Sequence, residues 1–217
     1  KNLACDYPLY FCSVEGGYQL RLLCCVTKDS GCAWINEEGK WIGQYVPFYL
    51  QQHPFSAIPS DGNANTMFID DESPRFSSEG TPLFEDSEPT EFLQKIIEAM
   101  SQLSAFAQNT QLIVDALQRF EVIVPWDAAL KLENDAEALV PGLYRVDEDV
   151  LNKLNIEEWI ELREMNAFPL IYGQLLSTRN LDKLVIYQNM KSEASRGEDL
   201  GINLDVGDDE SLNFDLL

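Results

Sequence analysis

Over the first third of the chain, apolar, β-branched and aromatic residues alternate with polar ones, and turn-forming clusters break the pattern at Gly16-Gly17, Asp29-Ser30-Gly31 and Glu37-Glu38-Gly39-Lys40. Alternation with period two marks half-buried strands, and glycine-rich breaks mark the reversals between them. The spacing predicts strands over 7–14, 19–27, 32–36 and 67–70, paired as antiparallel hairpins. Between residues 47 and 89, prolines, glycines and acidic residues interrupt every period, so this stretch should wrap over a core as loops. Tyr45, Phe48, Tyr49, Phe55, Phe68, Phe76 and Phe84 recur in and around it. Large aromatic rings are costly to leave in water, and the expectation is that they pin these loops down.

At Thr90 the period changes. A hydroxyl suited to an N-cap precedes Phe92, Leu93, Ile96, Ile97, Met100, Leu103, Phe106, Ala107, Ile113, Val114 and Leu117, spaced at three and four, which predicts a helix to about residue 120. Unbroken, it is a rod of about 45 Å, at 1.5 Å per residue. Its apolar stripe should lie against the sheet, with Ser101, Ser104, Asn109 and Thr110 as local weak points. Beyond it, 122–124 and 129–132 read as a hairpin or strand pair around Pro125-Trp126, and 143–146 as a short strand. Asp147 and Asn155 then open helical patterns, followed by helices over 169–176 and 181–190. From Lys191 the chain is acidic until the closing Leu212-Asn213-Phe214-Asp215-Leu216-Leu217.

The composition narrows the function more than it names it. Acidic residues number 37 against 15 basic ones, for a net charge of −22. Such a chain repels phosphate backbones and gains nothing from counterion release, which argues against nucleic acid as a partner. No apolar run approaches the ~18 residues that span a bilayer, so membrane insertion is not expected. The five cysteines all fall within the first 32 residues, and an odd number cannot pair completely within one chain. Cys24 and Cys25 lie in an apolar run and read as reduced structural thiols, which points to the cytoplasm, with the cell surface or envelope as the alternative.

Candidate chemistry is sparse. His53 is the single histidine, so a Cys–His nucleophile pair would have to use it, in a loop ahead of Pro54 and away from the predicted strands. Cys5 with Cys12, and Cys25 with Cys32, lie seven apart, unlike the short spacing of zinc sites. The acids of 69–73 and 147–149 offer oxygen ligands but do not continue into a calcium-binding loop, and Asp147–Asp149 are explained by complementing a helix dipole. Gly16-Gly17 is a turn, too short for a phosphate-binding loop. Trp34, Trp41, Trp126 and Trp159 read as core anchors. No cofactor, metal or catalytic set is therefore assigned.

One serial pattern stands out. Tyr45-Val46-Pro47, Pro54-Phe55, Ile69-Asp70, Leu83-Phe84, the long helix, Gly142-Leu143-Tyr144-Arg145-Val146-Asp147-Glu148, Leu151, Leu154 and Tyr172-Gly173-Gln174-Leu175-Leu176-Ser177 occur in the order that resembles the bacterial SapC-like family, over residues 7–184. This is the surface-layer-associated SapC, not the peptide-transport permease. The resemblance implies a Gram-negative source, a compact domain without established catalytic residues, and an association with paracrystalline surface layers. Its genes are often found near those of tryptophan-halogenase-like proteins and outer-membrane receptors.

Together these readings predict an α+β fold: an N-terminal antiparallel β region, one long helix packed on it, and a small helical C-terminal half. Residues 1–190 form one SapC-like domain, and 191–217 an acidic tail, flexible or docked. The expected function is a non-catalytic protein-interaction component, surface-layer or envelope associated, with a protein partner and a homo-oligomer allowed. Candidate contacts are Tyr45, Phe48, Phe55 and Trp126, together with Phe214, Leu216 and Leu217 of the tail. The alternative is an accessory enzyme or ligand-binding protein acting on a peptide or small molecule. A concave pocket lined by the four aromatic residues, with convergent acids of raised pKa, would favour that alternative.

Overall fold

Alternation on either side of Gly16-Gly17 folds the first segment into a hairpin of β1 (Leu9–Val14) and β2 (Gly17–Leu22), in register from Leu9↔Leu22 to Val14↔Gly17. Gly16 turns the chain at φ +91°, a conformation closed to most side chains. A short helix, α1 (Asn2–Asp6), precedes the hairpin. In this computed structural model residues 2–26, 31–59, 65–131 and 137–199 are described. Phe214, Leu216, Leu217 and the closing acidic run lie outside them.

The hairpin is half of a four-stranded sheet of order β2-β1-β10-β7, completed by β7 (Ile123–Pro125) and β10 (Tyr144–Val146). All three pairings are antiparallel, with Phe11 opposite Tyr144 and Val146 opposite Ile123. The strand expected over 19–27 ends at Leu22. The one expected over 32–36 is a turn joined only by the bridge Ile35↔Trp41. There the backbone turns on itself, Asn36 N donating to Lys40 O at 2.9 Å, while the Trp34 indole donates to Leu23 O at 3.1 Å. Once those groups are satisfied locally, no ladder is left to build.

The hairpin expected around Pro125-Trp126 is also absent. β7 pairs with β10, whereas β8 (Ala128–Lys131) pairs with β9 (Glu137–Val140), a strand that periodicity did not reveal. The proline-rich middle carries α2 (Phe48–Gln51), the hairpin β3 (Phe55–Pro59) with β4 (Asn65–Ile69), and the small ribbon β5 (Phe84–Glu85) with β6 (Glu88–Pro89). Its aromatic residues pin it only in part. Phe55 is buried edge-on against Phe76, while Tyr49, Phe68 and Phe84 face solvent.

The long helix α3 runs unbroken over Glu91–Arg119, 29 residues. Thr90 caps it, its Oγ1 accepting from Leu93 N at 3.4 Å and donating to Pro82 O at 2.9 Å. Thr110 sits inside it because its hydroxyl donates back to Phe106 O at 2.8 Å. The helical C-terminal part is α4 (Glu148–Leu151), α5 (Ile156–Glu164), α6 (Phe168–Ser177), a 3₁₀ turn at Thr178–Asn180, and α7 (Leu181–Asp199). Asp147 caps α4 at 2.8 and 3.0 Å, and Asn155 and Glu158 form a reciprocal capping box on α5. α7 is not the short helix expected over 181–190 but continues to Asp199.

Two hydrophobic clusters hold these elements together. The first joins Phe11 and Val146 of the sheet to Ile113, Val114 and Leu117 of α3, Leu162 of α5 and Ile171 of α6. The second gathers Tyr7, Trp34, Trp126, Leu143 and Leu184. Gln174, fully buried on α6, links sheet strands directly: its Oε1 accepts from Val146 N at 3.0 Å and its Nε2 donates to Leu9 O at 3.1 Å. Ser177, one turn on, accepts from Leu9 N at 3.0 Å. These bonds occupy backbone groups of β1 and β10 that the strands' narrow pairing, Phe11↔Tyr144, does not use. The polar residues of the 172–177 motif are therefore structural ties.

Candidate functional site

The four aromatic candidates do not line one cavity. Tyr45 and Trp126 pack in the second cluster, and the Tyr45 carbonyl accepts a short hydrogen bond from the Tyr7 hydroxyl. Tyr7 also accepts from the Trp41 indole at 2.8 Å. Gly43 closes this arrangement, since a Cβ there would stand 2.1 Å from the Tyr7 hydroxyl. Burial raises the Tyr7 pKa, more than these hydrogen bonds lower it. Phe48, on α2, is half-buried, and Phe55 lies in a separate groove.

That groove, about 420 Å³, runs between the β3–β4 hairpin, the following loop and the start of α3, and it includes His53, Phe55, Arg75, Phe76, Phe92 and Ile96. His53 Nε2 lies 3.2 Å from Asp70 Oδ2, with both side chains about half exposed, and Arg75 Nη1 donates to His53 O at 2.6 Å. The histidine thus faces a carboxylate and not a thiol. Among the described residues, no group of three or more His, Cys, Asp or Glu is placed to hold a metal ion. None of the described helices is long and apolar enough to cross a membrane.

The most distinctive surface lies on α3. Leu93 and Met100 are buried on one side of the helix, Met100 beside Ala57 of β3, whereas Ile113, Val114 and Leu117 are buried in the cluster that includes the sheet. With 3.6 residues per turn, Phe106 falls on the same side as Ile113 and Leu117, two and three turns earlier. There the sheet has ended, and Phe106 is 69% exposed. About a third of a turn around the helix from Phe106, a shallow cleft of about 160 Å³ is formed by Tyr49, Ala57, Met100, Leu103, Ala107 and Gln108. Tyr49 and Leu50 of α2 are also exposed. An apolar stripe thus emerges from the core onto the surface. The period of three and four in α3 announced the stripe, but only the extent of the sheet decides which part of it is left uncovered.

A second cavity, about 470 Å³, lies between the turn at 33–42 and α7, lined by Ala33, Ile35, Glu38, Ile42, Tyr187 and Lys191 among others. On its rim Lys40 holds the exposed Glu38 carboxyl below its usual range at 2.7 Å. Behind it Lys191 Nζ donates to the carbonyls of Cys32 and Ile35 at 3.2 and 3.3 Å. Cys32 and Cys24 are hydrogen-bonded through their side chains. That bond, the Trp34 backbone N–H and the Lys191 charge bring the Cys32 thiol down to about 6, while Cys24, as the donor, is pushed up. All five cysteines are free in this structure. The pairing of two of them in space was not expected. The turn signal Asp29-Ser30-Gly31 between the two cysteines was the available hint.

Comparison with known proteins adds one positive finding. The family model described as SapC matches residues 1–184. No curated protein and no solved structure matches the chain.

Proposed function

The chain belongs to the SapC family, and on that footing we propose that it is a non-catalytic interaction protein that docks a partner protein on the apolar stripe of α3. The observation that carries this reading is Phe106, a large ring at 69% exposure in line with the buried Ile113 and Leu117. Contiguous exposed apolar surface of this kind marks interaction sites in monomers, and aromatic side chains set in clefts dominate binding energy. A net charge of −22 selects a partner whose rim is basic around an apolar centre. Phe48 adjoins this surface through α2, and the tail residues Phe214, Leu216 and Leu217 are a second candidate contact. An envelope partner is part of the same proposal, suggested by the surface-layer association that the family resemblance implies.

The test is a photo-crosslinking residue at position 106 of the full chain, in the native host, against the same residue at Asp115 on the opposite side of α3. A single reproducible protein adduct at 106, absent at 115, is the expected result. Equal labelling at the two positions overturns the reading. Removal of residues 200–217 then tells whether the tail shares the contact.

A ligand-binding reading is favoured by one feature, the groove lined by Arg75 and by His53, whose ring meets Asp70. It is open to a small anionic or peptide ligand. A ligand-induced shift of the His53 ring resonances, lost in Arg75→Ala, would support it over the docking reading.

A further inference from the structure

We propose that Cys24 and Cys32 form a reversible dithiol–disulfide site that exchanges with small or protein disulfides, with Cys32 as the attacking sulfur and Cys24 as the resolving one. The geometry carries the assignment. The chain doubles back so that Ala33 N donates to Cys24 O at 2.7 Å and the Trp34 indole donates to Leu23 O. The two thiols are thereby brought within side-chain hydrogen-bonding reach. With the backbones paired at Cys24 and Ala33, a bond of about 2.05 Å between the two sulfurs calls for side-chain rotation rather than transport of the backbone. Neither residue is fully buried, and both are free.

The surroundings distinguish the two sulfurs. Cys32 receives the Trp34 backbone N–H and faces the Lys191 ammonium, which its own carbonyl and that of Ile35 hold in place. Cys24 has the Leu22 carbonyl at 3.8 Å, and the Cys32 sulfur and burial hold its proton in place. The Cys32 thiolate attacks one sulfur of an oxidant disulfide, forms a mixed disulfide and releases one thiolate, which takes a proton from solvent. The anion that most strongly holds the proton on Cys24 is then gone. Cys24 loses its proton, attacks the Cys32 sulfur and expels the second thiol. Two protein thiols are oxidised, one disulfide is reduced to two thiols, and protons balance. The first step thus prepares the second.

Acidity sets the condition for the test. At pH 6 about half of Cys32 is thiolate, against roughly 0.3% of an ordinary cysteine, and lower intrinsic nucleophilicity removes about one factor of ten of that gain. Cys32 should react with glutathione disulfide about tenfold faster than a free cysteine peptide at pH 6. The full chain, reduced and then exposed to glutathione disulfide, is quenched with acid, alkylated and mapped by peptide mass spectrometry. A Cys24–Cys32 linked peptide is expected, together with a glutathione adduct that accumulates on Cys32 in Cys24→Ser and no linked peptide in Cys32→Ser. Lys191→Met should slow adduct formation at pH 6 severalfold while far-ultraviolet dichroism stays unchanged. A linkage through Cys25 instead, an adduct in Cys24→Ser that favours Cys5 or Cys12 over Cys32, or no rate advantage at pH 6 overturns the proposal.

Discussion

The two halves of α3 have similar composition but meet different surroundings, and the difference separates what holds the fold from what is left to bind. The C-terminal half buries Ile113, Val114, Ala116 and Leu117 between the sheet, α5 and α6. The N-terminal half buries only Leu93 and Met100 and leaves Phe92 and Ile97 partly in water, and Phe106, just past the midpoint, is 69% exposed. One helix therefore serves as a core element at one end and as a presented surface at the other.

The sharpest way to break this comparison is to make the same cut at both ends. Leu117 is fully buried, and Leu117→Ala should cost about 4 kcal/mol in denaturant unfolding, the upper range for a cavity that cannot collapse. Leu93→Ala, near the thinly covered start of the helix, should cost about 2 kcal/mol. Equal losses would mean that the N-terminal half is as tightly enclosed as the other. A related cut tests the ties at the sheet: Gln174→Leu leaves Val146 N–H and Leu9 C=O without partners in a dry site. It should cost about 2–3 kcal/mol, and a neutral result would remove the structural account of the 172–177 motif.

Hydrogen exchange sharpens the comparison without mutation. Amides over 111–119 should exchange only through global opening, whereas those over 97–108 should open with about tenfold or greater ease, since few buried contacts hold them. Uniform protection along α3 would contradict the division.

Local signals explain why parts of this arrangement were legible in the sequence. Thr90, Asp147 and Asn155 each satisfy backbone donors within three residues, so the helix starts were readable from the caps alone. Strand pairing is a choice among distant partners, and here it misled: Pro125-Trp126 looked like a hairpin turn, yet β7 turned to β10 and β8 to β9. The aromatic candidates show the same limit. Tyr45 and Trp126 are drawn into a core by Tyr7 and Trp34, residues far from them in sequence, while Phe106 was read as part of a buried stripe. Periodicity gives the face of a helix, but where its cover ends depends on the length of a sheet built from other segments.

The smallest expected effect on stability is also the most discriminating for the surface. Phe106→Glu removes a ring that is already 69% exposed, so little transfer free energy is lost. Glutamate is the better helix former, which offsets part of any loss, while one more negative charge on a chain of −22 works slightly the other way. The net change should stay within about 0.5 kcal/mol, as for other surface substitutions, with unfolding cooperativity unchanged. Partner crosslinking from a probe at position 49 should nevertheless fall tenfold or more, because a charge placed at the apolar centre of a docking surface is desolvated without a counterpart. A loss of stability above about 1 kcal/mol would show that Phe106 packs within this fold rather than awaiting another.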